Sequence, residues 1–393
     1  MPTPVILGGA RTPFGRLAGG FTSLSASDLG GVAIKGALER SGVPADAVDY
    51  VIMGHVIQAG TGQITARQAA DKAGIPFTVP ANTINKVCLS GMNAIYLAAQ
   101  MIASGDADVV VAGGMESMTN APYVLPEGRG GFRFGDKTVQ DSLTHDGLFC
   151  AFDACVMGEA TERYSATESI LRNAQDEVAA ASHARAAAAQ KDGILAEEIV
   201  PVEVPQRRGD PVVIADDEGV RSETSMDSLG KLRPAFAEAG NITAGNASQI
   251  SDGASAMILT SAEKAAELGL TPMAEILGYG QVAGPDTSLL HQPSNAIRAA
   301  ADKAGVAIAD IDLFEINEAF AAVAVASVDH LGVSSDIVNV NGGAISLGHP
   351  LGASGNRITL TLLHELKRRG GGVGAAGLCG GGGQGDAIIV KVA

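Results

Sequence analysis

The residues best suited to chemistry in this chain are two of its four cysteines and one of its seven histidines. Cys88 lies in "NKVCLSG" (85–91), one or two residues before a helix expected to start near Ser90. Free N–H groups and the positive dipole end of such a helix favour thiolate, the nucleophilic form of cysteine. Cys379 stands in "GLCGGGGQGD" (377–386), after an apolar strand and before four glycines. Glycine is costly to order and packs almost nothing. Bare backbone at that point suits a substrate lying close, with N–H groups aimed at developing negative charge. For either thiol taken alone, the plain alternative is a small buried hydrophobe.

His349 sits between Gly348 and Pro350 in the glycine-dense "NVNGGAISLGHPLGASG" (339–355), while His55, His145, His183, His291, His330 and His364 lack such a setting. Asn317 and Glu318, in "FEINEAFAAVAVA" (314–326), fall between a strand and a helix start. Asn317 could orient a water or a carbonyl there, or simply cap the helix. Cys150 and Cys155, in "CAFDAC", do not have the spacing of a zinc knuckle and have no second Cys/His pair, so packing roles are expected for both.

An internal repeat explains how these loops could meet. "AIKGALERSGVPADAVDY" (33–50) aligns without a gap on "AIRAAADKAGVAIADIDL" (296–313). Each copy reads as an amphipathic helix, a glycine stop and an apolar strand. The register returns, displaced by one, where "LSGMNAI" (89–95) meets "ASGNRIT" (353–359). The helices opened there lead to the strands "DVVVAGG" (108–114) and "GVGAAGL" (372–378). The pattern predicts two homologous α/β halves, each with a sheet and crossover helices. In a pseudo-twofold arrangement the Cys88 loop and the His349 loop face each other. Between the halves lie the Gly/Pro-rich residues 119–147, helices expected over 158–172 and 175–193, a strand-like 197–205 and a polar stretch to about 247.

Composition narrows the field. The formal charge of −16 argues against nucleic acid, and an anionic ligand would need a local basic patch. Hydrophobic content of 46% with no tryptophan and 4% aromatics calls for a core of Ala, Val, Ile and Leu. Four cysteines in this length read as reduced thiols in a cytoplasmic protein. The N-terminus reads as a first strand, not a signal peptide. Apolar runs such as 319–328 are about half the length needed to span a bilayer, so no membrane is expected.

Taken together, "GARTPFG" (9–15), "NKVCLSG", "AGGMESM" (112–118), "GNAS" (245–248), "NEAF" (317–320), "GGAISLGHPLGASG" (342–355) and "CGGGGQG" (379–385) resemble the thiolase family, nearest to short-chain members that transfer acetyl groups. The resemblance implies duplicated α/β halves in α-β-α-β-α layers: 1–118 with 248–271, and 272–393, around an inserted loop domain, 119–247. It implies that Cys88 accepts the acyl group, His349 takes its proton and Cys379 is the second acid/base. Asn317, through a water, and His349 would hold one oxyanion; the N–H groups of Cys88 and Gly381 would hold the other. Two acetyl-CoA would give acetoacetyl-CoA and free CoA, reversibly, with no metal and no cofactor beyond the coenzyme A thioester substrates. Leu148, Met157, Arg221, Ala244 and Ser248 would line the coenzyme site with Phe236 beside the adenine. Leu289 and Phe320 would join Met157 at a small acyl pocket. A homodimer is implied, and the 119–147 loop suggests a homotetramer.

The chain departs from the family pattern at Val156, where a histidine is usual and one polar contact to the coenzyme is lost. It departs also at Leu289, where methionine is usual, and at Gly380, where an apolar residue is usual. Two other readings stand beside this one: a broader 3-ketoacyl-CoA thiolase of β-oxidation, and a non-catalytic acyl-CoA-binding protein on the same fold, which would need neither thiol.

Overall fold

The computed structural model describes residues 2–393. The N-terminal half contributes β1 (Pro4–Arg11), α1 (Ala26–Ser41), β2 (Tyr50–Gly54), α2 (Thr65–Lys72), β3 (Ala81–Ile84), α3 (Ser90–Ser104) and β4 (Val109–Ser117). After α4 (Met157–Thr167) and α5 (Arg172–Lys191) of the insert, β5 (Ser251–Ser261) returns to lie between β1 and β4. The C-terminal half contributes β6 (Ala274–Ala283), α6 (Gln292–Ala304), β7 (Leu313–Ile316), α7 (Ala321–Leu331), α8 (Ser354–Arg368), β8 (Gly372–Gly380) and β9 (Gln384–Val392).

The repeat seen in sequence is a repeat in structure. Helix α1 starts at a capping box, Ser25 with Asp28, and stops at Gly42 with φ of 72°. Helix α6 has proline in its first turn and stops at Gly305 with φ of 66°. Each is followed by a 3₁₀ turn, Ala45–Ala47 or Ile308–Asp310, and then by β2 or β7. Both strands pair in parallel with the strand that follows the second helix: β2 with β4, and β7 with β8.

The sheet order is β3-β2-β4-β5-β1-β6-β9-β8-β7. A separate sheet in each half was the expectation; instead, one edge joins them. Val5 and Ile6 of β1 pair with Glu275 and Ala274 of β6. Both strands would otherwise leave unpaired N–H and C=O groups at that edge. Helices α1 and α2 cover the N-terminal part of the sheet on the outside, α6 covers the C-terminal part, and α7 packs on α6. Between them α3 and α8 touch each other and both parts of the sheet, giving the α-β-α-β-α layering.

That central layer is packed backbone to backbone. A Cβ on Gly91 would lie 2.8 Å from the amide nitrogen of Asn356, and one on Gly355 would lie 2.6 Å from that of Met92. Helices can approach this closely only where no side chain intervenes. The stretch Val87–Ser104 is also long and apolar enough, by composition, to cross a bilayer. It exceeds the apolar runs such as 319–328 that the sequence brings forward, and it is half buried between the two parts of the sheet.

The insert has little regular structure beyond α4 and α5. Tyr123–Val124 pairs with Gln140–Asp141, Phe149–Cys150 with Cys155–Val156, and Val202–Val204 with Val212–Ile214. Helix α5 packs on α7 and on the short helix Ala344–Leu347, which lies just before His349.

Candidate active site

Cys88 occupies a sharp strand-to-helix turn. Strand β3 ends at Ile84, Val87 adopts φ of 52°, and α3 begins at Ser90. A β-branched residue at positive φ is strained, by roughly 1–3 kcal/mol, and persists only where surroundings hold it. Here the Asn85 side chain accepts the Val87 N–H at 2.9 Å. Ser90 Oγ accepts the Lys86 N–H at 2.8 Å and donates to the Val87 carbonyl at 2.6 Å. Lys86 Nζ reaches across to buried Asp386 of β9 at 2.7 Å, tying the turn to the other half.

The thiol is not poised as thiolate. Burial pushes Cys88 up to about 12; its own N–H opposes the rise, Glu116 adds to it and the Gly381 N–H opposes it. The helix start is where the sequence placed it, but the dipole argument assumed a solvated thiol, and desolvation outweighs the dipole. Acting as a nucleophile, such a thiol starts protonated and needs a base.

Cys379 lies within β8, which runs through Gly380, so the tight turn begins one residue later than the sequence suggested. Burial raises this thiol as well, and the neighbouring Cys88 raises it further. The two thiol loops touch. A Cβ on Gly380 would overlap Leu89 Cγ at 2.5 Å, and one on Gly381 would lie 3.5 Å from Val87 Cγ1 and 3.7 Å from Met157 Cε. The Gly381 N–H opposes the rise of the Cys88 thiol.

His349 abuts the same turn through its loop: the Gly352 carbonyl would lie 2.8 Å from a Cβ on Gly91. Its Nδ1 is 2.6 Å from Ser354 Oγ. Ser354 Oγ gives its only proton to the Pro350 carbonyl at 2.9 Å, so it must accept from His349, which assigns the proton to Nδ1. Nε2 is then the free lone pair, and it is buried without a protein partner. Burial and the Arg357 guanidinium push the ring down to about 3, so it is a neutral imidazole.

Asn317, fully buried, follows β7 and hydrogen-bonds through its N–H to Gly377 of β8 at 3.0 Å. Neither its Oδ1 nor its Nδ2 has a protein partner. Buried polar atoms are rarely left unpaired, and such a cluster marks a place where a ligand or water completes the set. Glu318 serves structure instead: Ser182 Oγ, Asn339 Nδ2 and the Ile345 N–H all donate to its carboxylate. The "GNASQIS" segment stitches the loops together. Asn246 accepts from Ala321 at 2.8 Å, Ser248 donates to Ala319 at 3.1 Å, and Gln249 accepts from His349 at 3.1 Å.

The residues expected around coenzyme A separate into groups. Exposed Arg221 and Ala244 line a cleft of about 220 Å³ with His183, Glu223, Leu229, Leu232 and Gln249. Met157 and Leu289 line a second space, of only about 10 Å³, with Cys150, Tyr164 and Gly382. Phe320 packs beside Cys379 and Leu289. Phe236 meets Phe320 edge to face at 6.2 Å and covers Gly158, on the acyl side and outside the Arg221 cleft. Leu148 packs on the core that holds Cys88.

Sequence reasoning missed three contributors. Ser354 reads as an ordinary helix-start serine. His183 was set aside, yet it lines the Arg221 cleft and accepts the Arg221 N–H at 3.1 Å. Burial and Arg221 depress it to about 4, which leaves it neutral. Glu116, part of "AGGMESM", accepts N–H groups from Val56, Ile57 and Gly352 at 3.1, 3.1 and 2.9 Å, so it pins the His349 loop to the N-terminal half. Only the repeat could have signalled Ser354, as the partner of Ser90.

The chain was compared with known proteins. The family model described as thiolase, N-terminal domain, matches residues 4–263, and that described as thiolase, C-terminal domain, matches residues 270–392. A probable acetyl-CoA acetyltransferase of Mycobacterium tuberculosis is 56% identical over 391 residues, covering 100% of each chain. An acetyl-CoA acetyltransferase of Cupriavidus necator is 51% identical over 392 residues, again covering 100% of each. The crystal structure of the Bacillus anthracis acetyl-CoA acetyltransferase superposes with a TM-score of 0.97 at 41% identity, covering 100% of this chain and 99% of that one. With both halves matched and the two thiol loops in contact, this chain belongs to the thiolase family of acyltransferases.

Proposed function

We propose that the chain is an acetyl-CoA C-acetyltransferase, joining two acetyl-CoA into acetoacetyl-CoA and free CoA and running the reverse thiolysis. One observation carries the reading: around two touching thiol loops, His349 Nε2 and both amide atoms of Asn317 are buried without partners. Full-length relatives bearing that activity in their names support it.

Cys88 attacks the first thioester as His349 Nε2 takes its proton. Cys379 protonates the departing CoA thiolate and is left as a thiolate. It then removes an α-proton from the second acetyl-CoA, and the enolate attacks acetyl-Cys88. Collapse frees Cys88 as thiolate, and the imidazolium returns the proton. Every proton is accounted for within the three residues. The N–H groups of Cys88 and Gly381 are suited to one oxyanion, and Asn317, through a water, with His349, to the other. Losing one such donor typically costs about 3–4 kcal/mol of barrier.

Met157, Leu289 and Phe320, packed in one cluster with Cys379, suit a short acyl group better than the longer chains of a β-oxidation thiolase. Arg221, at the mouth of the larger cleft, suits the phosphates of coenzyme A, with Ala244 and Ser248 along the pantetheine arm. We take the enzyme to act in the cytoplasm, without a cofactor, as a homodimer or homotetramer. Two measurements test this. Acetyl-CoA should add one acetyl group to Cys88 by mass spectrometry; an unlabelled protein that still binds CoA is the non-catalytic alternative. And kcat/KM for C8–C10 ketoacyl-CoA should fall roughly 100-fold or more below that for acetoacetyl-CoA; equal values would move the assignment to the broader thiolase.

A further inference from the structure

Two thiols remain outside this chemistry. Cys150 and Cys155 are free and buried, and they are directly opposite partners in the hairpin Phe149–Cys150/Cys155–Val156. Directly opposed antiparallel residues have Cα atoms roughly 4.5–5.5 Å apart, inside the roughly 4.4–6.8 Å that a disulfide spans. The surroundings are not those of inert packing. Arg163 Nη2 donates to Cys155 Sγ at 2.9 Å; burial, Glu159, Asp153 and Cys150 push that thiol up, and Arg163 alone opposes them. Cys150 Sγ donates to Asp153 Oδ2 and accepts the Asp153 N–H, both at 3.4 Å.

The hairpin also touches the site. The Phe152 ring would lie 3.1 Å from a Cβ on Gly382, in the glycine turn after Cys379. Asp153 Oδ2 accepts from Thr287 Oγ1 at 2.5 Å, and Thr287 is 2.9 Å from Tyr164 Oη. Cys150 itself lines the small space with Met157 and Leu289.

We propose that Cys150 and Cys155 are a redox modification site: a dithiol that a low-molecular-weight disulfide closes into a cystine on the hairpin packed over the Cys379 loop. Cys155, which accepts a hydrogen bond from Arg163, loses its proton and attacks the S–S bond of the reagent, expelling one thiolate. Cys150 then attacks the mixed disulfide at the Cys155 sulfur and expels the second. Two electrons pass from the protein sulfurs to the reagent, and the two protons lost by the thiols end on the two released thiols. Closure removes the Cys150 contact to Asp153, the residue that also holds Thr287. The oxidation state is therefore felt at the wall of the acyl pocket.

The test uses a Cys88→Ala/Cys379→Ala variant, whose only thiols are this pair, treated with oxidised glutathione. One reagent molecule should be consumed and two glutathione thiols released per chain. The protein mass should fall by two hydrogens and return with dithiothreitol. Adding Cys150→Ser should halve the released thiol and leave a glutathione adduct on Cys155. A stable adduct on the chain that keeps both cysteines, or two thiols that survive the oxidant, overturns the proposal. Should that variant fold poorly, peptide mapping of oxidised wild type decides: a 150–155 cross-link supports the site, and its absence refutes it.

Discussion

The two halves start from one plan and end differently at the same place. The ladder partners Tyr50–Val110 and Leu313–Gly374 put His55 opposite Glu318, and Glu116 opposite Gly380, in the superposed plan. In the N-terminal half that position is filled. Glu116 takes up the N–H groups around it, and neutral His55 lies 3.3 Å from its carboxylate. In the C-terminal half the equivalent glycine has no side chain, and Leu89 of the Cys88 turn takes the space: a Cβ there would lie 2.5 Å from Leu89 Cγ. The helix-start serines diverge in the same sense. Both donate to a backbone carbonyl, of Val87 or Pro350, but Ser90 accepts the Lys86 N–H whereas Ser354 faces the His349 imidazole. Duplication supplies two equivalent positions; a carboxylate in one braces the loops, and a glycine in the other lets the Cys88 turn pack against the Cys379 strand.

The comparison can be broken most sharply at the thiols. Cys88→Ala should abolish both acetyl labelling and thiolysis. Cys379→Ala should still label at Cys88, though more slowly because the departing CoA thiolate loses its proton donor, while condensation falls about 10³-fold. If both variants lose labelling alike, the thiols do not divide the work between halves. A smaller effect separates the serines. Ser354→Ala should lower kcat roughly 10- to 100-fold with KM little changed, because Nδ1 no longer fixes the tautomer. Ser90→Ala should instead lower stability by about 1–3 kcal/mol, since the Lys86 N–H loses its partner. Denaturant midpoints and kcat measured on both variants would sharpen the contrast, and identical profiles would erase it.

The gentlest probe is pH. A thiol raised to about 12 beside an imidazole lowered to about 3 titrates outside the working range. Alkylation of Cys88 by iodoacetamide should therefore rise about tenfold per pH unit between pH 6 and 9, because only the thiolate reacts. A plateau within that window would mean a resting thiolate–imidazolium pair and would overturn the neutral assignment.

What could be read beforehand follows from where the signal is local. The α1/α6 repeat carries its own caps and glycine stops, so it was visible. The start of α3 at Ser90 was visible from the turn before it. The joining of the sheet rests on Val5, Ile6, Ala274 and Glu275, whose backbone pairing leaves no mark in residue type. The high Cys88 pKa was hidden because helix dipoles are local and desolvation depends on the whole fold. Cys150 and Cys155 looked like separate packing residues because their spacing does not reveal a hairpin until the turn at Ala154, φ 51°, is known.

The close helix approach at Gly91 and Gly355 has a consequence for how the enzyme ages under heat. Main chain resting on main chain leaves no rotamer to loosen, so the Cys88 turn and the His349 loop cannot drift apart by degrees as temperature climbs. Activity should hold its intrinsic value until the molecule melts as a whole, and then vanish with it. Bulk at either glycine would act as a wedge, spoiling that approach at every temperature alike.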